Sequence, residues 1–287
     1  MDPMIAALVL ASAAIHPFWN LLLKREADPQ RAYLGLTVTL CLCGLVNSLV
    51  AGADLWAAAK VIPLIILSWC GQVLYGTCLT ATLRRGDLSA YYPIIRSSPV
   101  FIVAAGVLFL GQTYAAATVL GIAMAVIGGF LLLYRRGTHI LSDPLTLALA
   151  LAAMIGTGIY SMADARMMET ISPSVQLFWV EGLLVPYYLT LYVKSGGRIW
   201  DLSDGRPLVS HLAILIVPGI MAYVSYFMIL YAYQLGGEVA AVTSVRQASI
   251  PISVVLGGFF LREGAILRRL AASLILAAGI IVIVATG

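Results

Sequence analysis

The segment YGTCLTATLRRGDLSAYY (75–92) returns 151 positions later as YFMILYAYQLGGEVAAVT (226–243), with Tyr75, Leu79, Ala81, Gly86, Asp87 and Ala90 answered by Tyr226, Leu230, Ala232, Gly237, Glu238 and Ala241. The match runs on through Gly106, Phe109, Leu110, Gln112 and Gly128, which correspond to Gly257, Phe260, Leu261, Glu263 and Gly279. Further upstream, Ile15, His16 and Asn20 align with Ile159, Tyr160 and Asp164 at a shift of 144, the difference being a few loop residues. One unit is used twice, over residues 1–137 and 138–287.

The class follows from composition. Apolar residues make up 61% of the chain and charged residues 10%, with a mean hydropathy of +0.98; a soluble domain carries about 25% charge. Runs of about 20 apolar residues, enough to cross roughly 30 Å of hydrocarbon, fall at 4–23, 32–51, 61–82, 88–110, 114–134, 144–168, 174–193, 209–233, 239–261 and 267–286. Backbone polar groups in lipid must be satisfied within their own segment, so each run is expected to be helical. The fold expected is an all-α integral membrane protein, with ten transmembrane helices as two five-helix repeats.

The loops give the orientation. Lys24, Arg25 and Arg31 follow the first run, Arg84 and Arg85 the third, and Arg135 and Arg136 the fifth. Lys194, Arg198 and Arg206 follow the seventh, and Arg262, Arg268 and Arg269 the ninth, against Lys60 and Arg166 on the other side. Basic loops stay in the cytoplasm, which puts both termini outside. Because a unit has an odd number of spans, the second enters the membrane from the opposite face, so the repeats are inverted.

Met1-Asp2-Pro3 lacks the basic region of a cleaved leader, and the first run reads as a retained helix despite Ala11-Ser12-Ala13. Cys41, Cys43, Cys70 and Cys78 have no metal-ligand spacing and are expected as small buried apolar groups. The net charge of +4 is spread over short loops, which suits anionic headgroups of a lipid bilayer and gives no support to nucleic acid as a partner. No catalytic or phosphate-binding motif appears, so neither an enzyme nor a bound cofactor is expected. Ala117, Gly121, Ala125 and Gly128 form a small-residue stripe expected to pack within the bundle; the chain is expected as a monomer or homodimer.

Polar residues inside the spans carry the functional expectation. Arg96 and Arg246 both approach the bilayer centre at about 1.5 Å per residue. A central arginine costs about 2.5–3.5 kcal/mol on the most lenient scale and must face water, a ligand or a partner. Glu181 lies at the depth of Arg246, so an Arg246–Glu181 pair and a ligand role for Arg246 are both open. Arg96 has no acid at its depth in its own unit, which leaves its donors either for an anionic group such as a carboxylate or phosphonate or for internal packing.

His16 sits near the middle of the first run, beside Pro17, which removes a backbone donor and should bend the helix; Asn20 lies one turn on. His16 reads either as a binding or proton-handling group or as a structural hydrogen-bonding one. Trp19, Trp69, Tyr75, Tyr160, Trp179 and Tyr226 recur around these positions and could line a cavity. Pro93, Pro99 and Pro251 interrupt the two spans that carry the arginines and are candidate hinges, with Pro17, near a midplane cavity.

These residues resemble the EamA family of the drug/metabolite transporter superfamily over essentially the whole chain. The resemblance rests on Ala13-Ala14-Ile15-His16-Pro17-Phe18-Trp19-Asn20 to Lys24, on Ser98-Pro99-Val100-Phe101 continuing to Leu110-Gly111-Gln112, and on Leu261-Arg262-Glu263. Gln112 stands where the family usually has Glu. The family is generally described with cytoplasmic termini, opposite to the loop charges.

The resemblance implies a secondary carrier, commonly an exporter of amino acids or related metabolites, in a bacterial inner membrane. Its central cavity would be exposed alternately to each side and lined by helices 1, 3, 4, 6, 8 and 9. On that reading the substrate-binding set is Arg96, His16, Tyr75, Tyr226, Trp19, Asn20, Gln72, Tyr160, Arg246 and Glu181. His16, Glu181 and Asp164 are the candidates for proton coupling. Alternatives are an organic-cation exporter, using Glu181 or Asp164 with an aromatic cage, and a non-transporting scaffold or sensor whose polar groups are all satisfied internally.

Overall fold

A computed structural model describes residues 1–24, 28–85, 88–133, 143–198, 208–252 and 266–286. Gly86, Asp87, Arg25, Arg135, Arg136, Arg206, Gly257, Phe260, Leu261, Arg262, Glu263 and the unit boundary at 137/138 lie outside the described residues. Those described are helical apart from short connections, with no strand among them.

The first half contains α1 (Pro3–Lys24), α2 (Pro29–Val50), a 3-10 turn (Leu55–Val61), α3 (Ile62–Arg85), α4 (Leu88–Ile95), α5 (Ser98–Leu110) and α6 (Ala116–Leu133). The second contains α7 (Pro144–Met167), α8 (Pro173–Lys194), α9 (Leu208–Gln234), α10 (Val239–Val245), a 3-10 turn (Arg246–Ala248) and, last, α11 (Ile266–Thr286). Six stretches among the described residues are long and apolar enough to cross a membrane: Pro3–Leu23, Gln30–Val50, Leu55–Thr82, Tyr91–Leu110, Pro144–Met167 and Leu215–Gln234. Large apolar side chains such as Leu108 (74% exposed) and Ile281 (66% exposed) point outward. This is the pattern of a protein whose surroundings are lipid, and the chain is a helical membrane protein.

Local chemistry starts and stops the helices. Asp28 accepts a hydrogen bond from the Arg31 amide at 3.0 Å and Asp143 from the Thr146 amide at 3.1 Å, each followed by a proline in the first turn. Gly111 ends α5 in the left-handed conformation (φ +63°).

The helices pair across the two halves. α3 packs on α7, α6 on α11, α2 on α8 and α9, and α1 on α9. Glycines set the closest crossings. A Cβ on Gly71 of α3 would lie 2.8 Å from the Tyr160 nitrogen, and one on Gly156 of α7 would lie 2.8 Å from the Gly71 oxygen. Likewise a Cβ on Gly121 of α6 would sit 2.9 Å from the Gly279 oxygen in α11. The stripe through Gly121, Ala125 and Gly128 is therefore spent inside the bundle, as the sequence leads one to expect.

The cysteines are all free, but only Cys78 is buried; Cys70 is exposed on the outer surface of α3. The expectation of four buried thiols is corrected there. Composition alone does not separate a lipid-facing thiol from a core one.

Candidate functional site

Both arginines sit where a helix is interrupted. The span through 88–110 is two helices: α4 ends at Ile95, Arg96 and Ser97 form a turn, and α5 begins at Ser98. Pro99 lacks the N–H that would reach the Ile95 carbonyl, so the ladder is broken there. The Ser97 hydroxyl donates to the Pro93 carbonyl at 2.8 Å. The second arginine opens the 3-10 turn Arg246–Ala248, with helix resuming from residue 249 through Pro251. By contrast, α1 continues as helix through Pro17, where the Asn20 side-chain amide donates to the His16 carbonyl at 3.1 Å.

These interruptions face a cavity of about 1060 Å³ inside the bundle. All the residues assigned above to substrate binding line it, from His16, Trp19 and Asn20 on α1 to Glu181 on α8 and Arg246 after α10. α2 and α8, which are the second and seventh of the ten expected spans, also contribute walls through Tyr33, Leu36, Tyr187 and Tyr188, which corrects the family-based lining set of spans 1, 3, 4, 6, 8 and 9. α6 and α11 contribute no lining residue, in keeping with a support role.

The cavity is one-sided. Its lining reaches Gln30, Arg84, Arg85, Lys194 and Ser195, at the end of the bundle that carries the basic connections. Toward the other end the lining stops at Gln72, Ser161, Glu181 and Tyr226, several residues short of the helix termini. That layer is held by polar cross-links: the Asn47 amide donates to the Tyr223 hydroxyl at 2.6 Å, and the Ser12 and Ser225 hydroxyls meet at 3.0 Å. The Trp179 indole donates to the Leu55 carbonyl at 2.9 Å, its ring 6.1 Å from that of Trp56. Trp179 and Trp69, whose indole donates to the Leu183 carbonyl at 3.1 Å, are not among the residues that line the cavity and take the packing role instead.

Asp164 is the centre of this layer. It is 0% exposed and accepts from Ser68 of α3 at 2.6 Å, from Gln176 of α8 at 2.8 Å, and from the Tyr226 hydroxyl of α9. A carboxylate out of water requires such compensation. It lies behind the cavity wall rather than on it.

The polar groups on the cavity itself are under-satisfied. Arg96 donates one guanidinium hydrogen bond, to the Ser249 hydroxyl at 2.9 Å. Arg246 lies over the Tyr226 ring, 5.5 Å from its centroid. The expected Arg246–Glu181 pair is absent: equal depth did not bring the two side chains together, and Glu181 makes no ion pair or hydrogen bond among the described residues. His16 Nδ1, Trp19 Nε1, Gln72 Nε2, Arg96 Nε, Arg246 Nε and Gln247 Nε2 are buried without a partner. The His16 and Trp19 rings pack edge to face at 4.8 Å.

The arrangement is a chamber rich in hydrogen-bond donors, with the Arg96 and Arg246 guanidiniums at the helix interruptions, one unpartnered carboxyl and several tyrosines. No group of side chains that could hold a metal ion occurs among the described residues.

No family model and no curated protein matches the sequence. A solved structure described only as the crystal structure of a protein superposes with a TM-score of 0.74, over 97% of this chain and 95% of the other, at 16% identity. The likeness at that identity is one of fold alone.

Proposed function

We propose that this chain is a secondary transporter of the EamA type, in the drug/metabolite transporter superfamily, which moves a small zwitterionic or anionic metabolite. It crosses the membrane ten times as two inverted five-helix units. Export across a bacterial inner membrane is the direction and place the family resemblance implies. The observation that carries the reading is a cavity inside an otherwise apolar bundle, with Arg96 and Arg246 at two interrupted helices. Broken helices that meet at a midplane site are how carriers combine substrate recognition with movement.

The helix pairing supports the inverted repeat. Exchanging the halves turns the α1–α9 contact into the α7–α3 contact, and maps α2–α8 and α6–α11 onto themselves. One-sided opening supports alternating access, and the positive-inside rule makes the open side cytoplasmic. Arg96 and Arg246 hold the anionic group, His16, Tyr75 and Tyr226 add hydrogen bonds, and the joints around Pro93, Pro99 and Pro251 move.

An organic-cation exporter draws support from Glu181, which is unpaired on the same wall, but two guanidiniums in that cavity oppose a purely cationic cargo. A scaffold would satisfy its buried donors internally, and this cavity does not. Counterflow in proteoliposomes tests the reading. Amino acids and phosphonates are offered to wild type, Arg96→Ala and Arg166→Ala, the last being an exposed residue paired with Glu169 at 2.6 Å. Flux lost only in Arg96→Ala supports transport; no flux for any of these compounds in wild type overturns it.

A further inference from the structure

The cavity has two chemically opposite poles. One is formed by Arg96 and Arg246 at the two helix interruptions, with His16 and the orphaned N–H donors of Gln72 and Gln247 lining the same chamber. The other is the wall made by the packed helices α2 and α8, which carries Glu181 together with Tyr33 and Tyr188, whose rings meet edge to face at 5.0 Å. Neither tyrosine is singled out by the sequence.

Resting on the transport reading, we propose that the substrate is bipolar: an amine joined by a short chain to a doubly charged oxyanion of the phosphonate or phosphate type. The oxyanion sits between Arg96 and Arg246, and the ammonium sits against Glu181, Tyr33 and Tyr188.

Three observations carry this. The donors come first. Arg246 makes no hydrogen bond and Arg96 one among the described residues, so two nearly free guanidinium forks face the chamber. A tetrahedral oxyanion offers three acceptor oxygens to them, where a carboxylate offers two. Leaving such donors buried and unmet is costly, and a ligand with many acceptors removes that cost.

The acids come second. Asp164 is satisfied by Ser68, Gln176 and Tyr226 behind the wall, which leaves Glu181 as the carboxyl that lines the cavity without a partner. A carboxylate that shares a wall with two tyrosine rings is a receptor for an ammonium group.

Charge comes third. Basic residues outnumber the one acid, Glu181, among the described residues that line the chamber, which suits a ligand whose anionic charge outweighs its cationic charge. Arg84, Arg85 and Lys194 at the mouth favour entry of a net anion.

The test measures binding of named probes to the purified full chain in lipid nanodiscs by calorimetry. The probes are 3-aminopropylphosphonate, propylphosphonate, propylamine and 4-aminobutanoate. In wild type, 3-aminopropylphosphonate is expected to bind about tenfold or more tighter than propylphosphonate, which lacks the ammonium, propylamine, which lacks the oxyanion, and 4-aminobutanoate, which lacks the second negative charge. Glu181→Gln should abolish its margin over propylphosphonate while leaving propylphosphonate affinity unchanged, and Glu181→Asp, which keeps the carboxylate, should retain a margin. Arg246→Lys should weaken both phosphonates about tenfold by removing the fork.

Equal affinity for the two phosphonates, a margin that survives in Glu181→Gln, tighter binding of 4-aminobutanoate, or no binding of 3-aminopropylphosphonate would overturn the proposal. The margin without flux in proteoliposomes would sink the transport reading and leave the two-pole site standing. Flux with no margin would do the reverse.

Discussion

Tyr226 joins the two charged systems of the bundle: its hydroxyl donates to the buried Asp164 carboxylate, and its ring lies beneath the Arg246 guanidinium, 5.5 Å from centroid to carbon. A ligand that pulls on Arg246 is thus one side chain away from the layer that closes the far end of the cavity. This is a short physical route from binding to opening, through a residue that both systems share.

Removing that hydroxyl separates the two systems. In Tyr226→Phe the ring and its contact with Arg246 remain, but Asp164 loses the donor on one carboxylate oxygen. A buried group left unmet costs about 1–3 kcal/mol. Thermal unfolding of the detergent-solubilised variant should fall accordingly, and the closed layer should open more readily. An unchanged melting temperature would show that the bond contributes nothing to the closed state.

The α3–α7 crossing depends on paired glycines. Gly156→Ala places a methyl 2.7 Å from the Tyr75 nitrogen and 2.8 Å from the Gly71 oxygen, both backbone atoms that cannot turn aside. Overpacking of this kind costs about 1–3 kcal/mol. It also moves Tyr75 and Tyr160, which line the cavity on either side of that contact. Gly182→Ala is the control, because its Cβ would meet only the Cys41 sulfur at 3.5 Å. Equal stability of the two variants would contradict the close approach.

A pH-dependent contribution is expected at the start of α7. Hydrogen bonds from the Thr146 hydroxyl and amide, with Arg85 3.6 Å away, hold the Asp143 carboxyl below the usual carboxylate range. A lowered value means that the folded state favours the ionised form. The stabilisation is therefore present above the unfolded value and is lost as pH falls through the lowered folded one. Asp143→Asn should unfold earlier than wild type at neutral pH, with the difference closing in acid. A gap that is independent of pH would show that charge plays no part in this cap.

The sequence made some of this legible and hid the rest for identifiable reasons. Apolar runs located the helices because lipid demands about twenty such residues per crossing. Pro93 and Pro99 announced the interruption at Arg96, since proline removes donors wherever it stands. Pro251 marked the 3-10 turn at Arg246–Ala248 in the same way, since it has no N–H to reach the Gln247 carbonyl. Equal depth suggested that Arg246 meets Glu181, but depth fixes height along the bundle and not the direction a side chain takes around its helix. Tyr33 and Tyr188 escaped notice because a tyrosine in an apolar span is ordinary packing until a carboxyl is found on the same cavity wall. The ligands of Asp164 come from α3, α8 and α9, and only the packed bundle brings them together.

Side-specific labelling tests the central claim of a cavity open at one face and sealed at the other. Thr157 lines the chamber and is partly exposed within it. In a background with Cys41, Cys43, Cys70 and Cys78 replaced, Thr157→Cys should react with a membrane-impermeant maleimide only from the face bearing Arg84, Arg85 and Lys194. With Tyr226→Phe added, it should also become reactive from the opposite face. Reaction from both faces without that second change, or from neither face, would contradict the account.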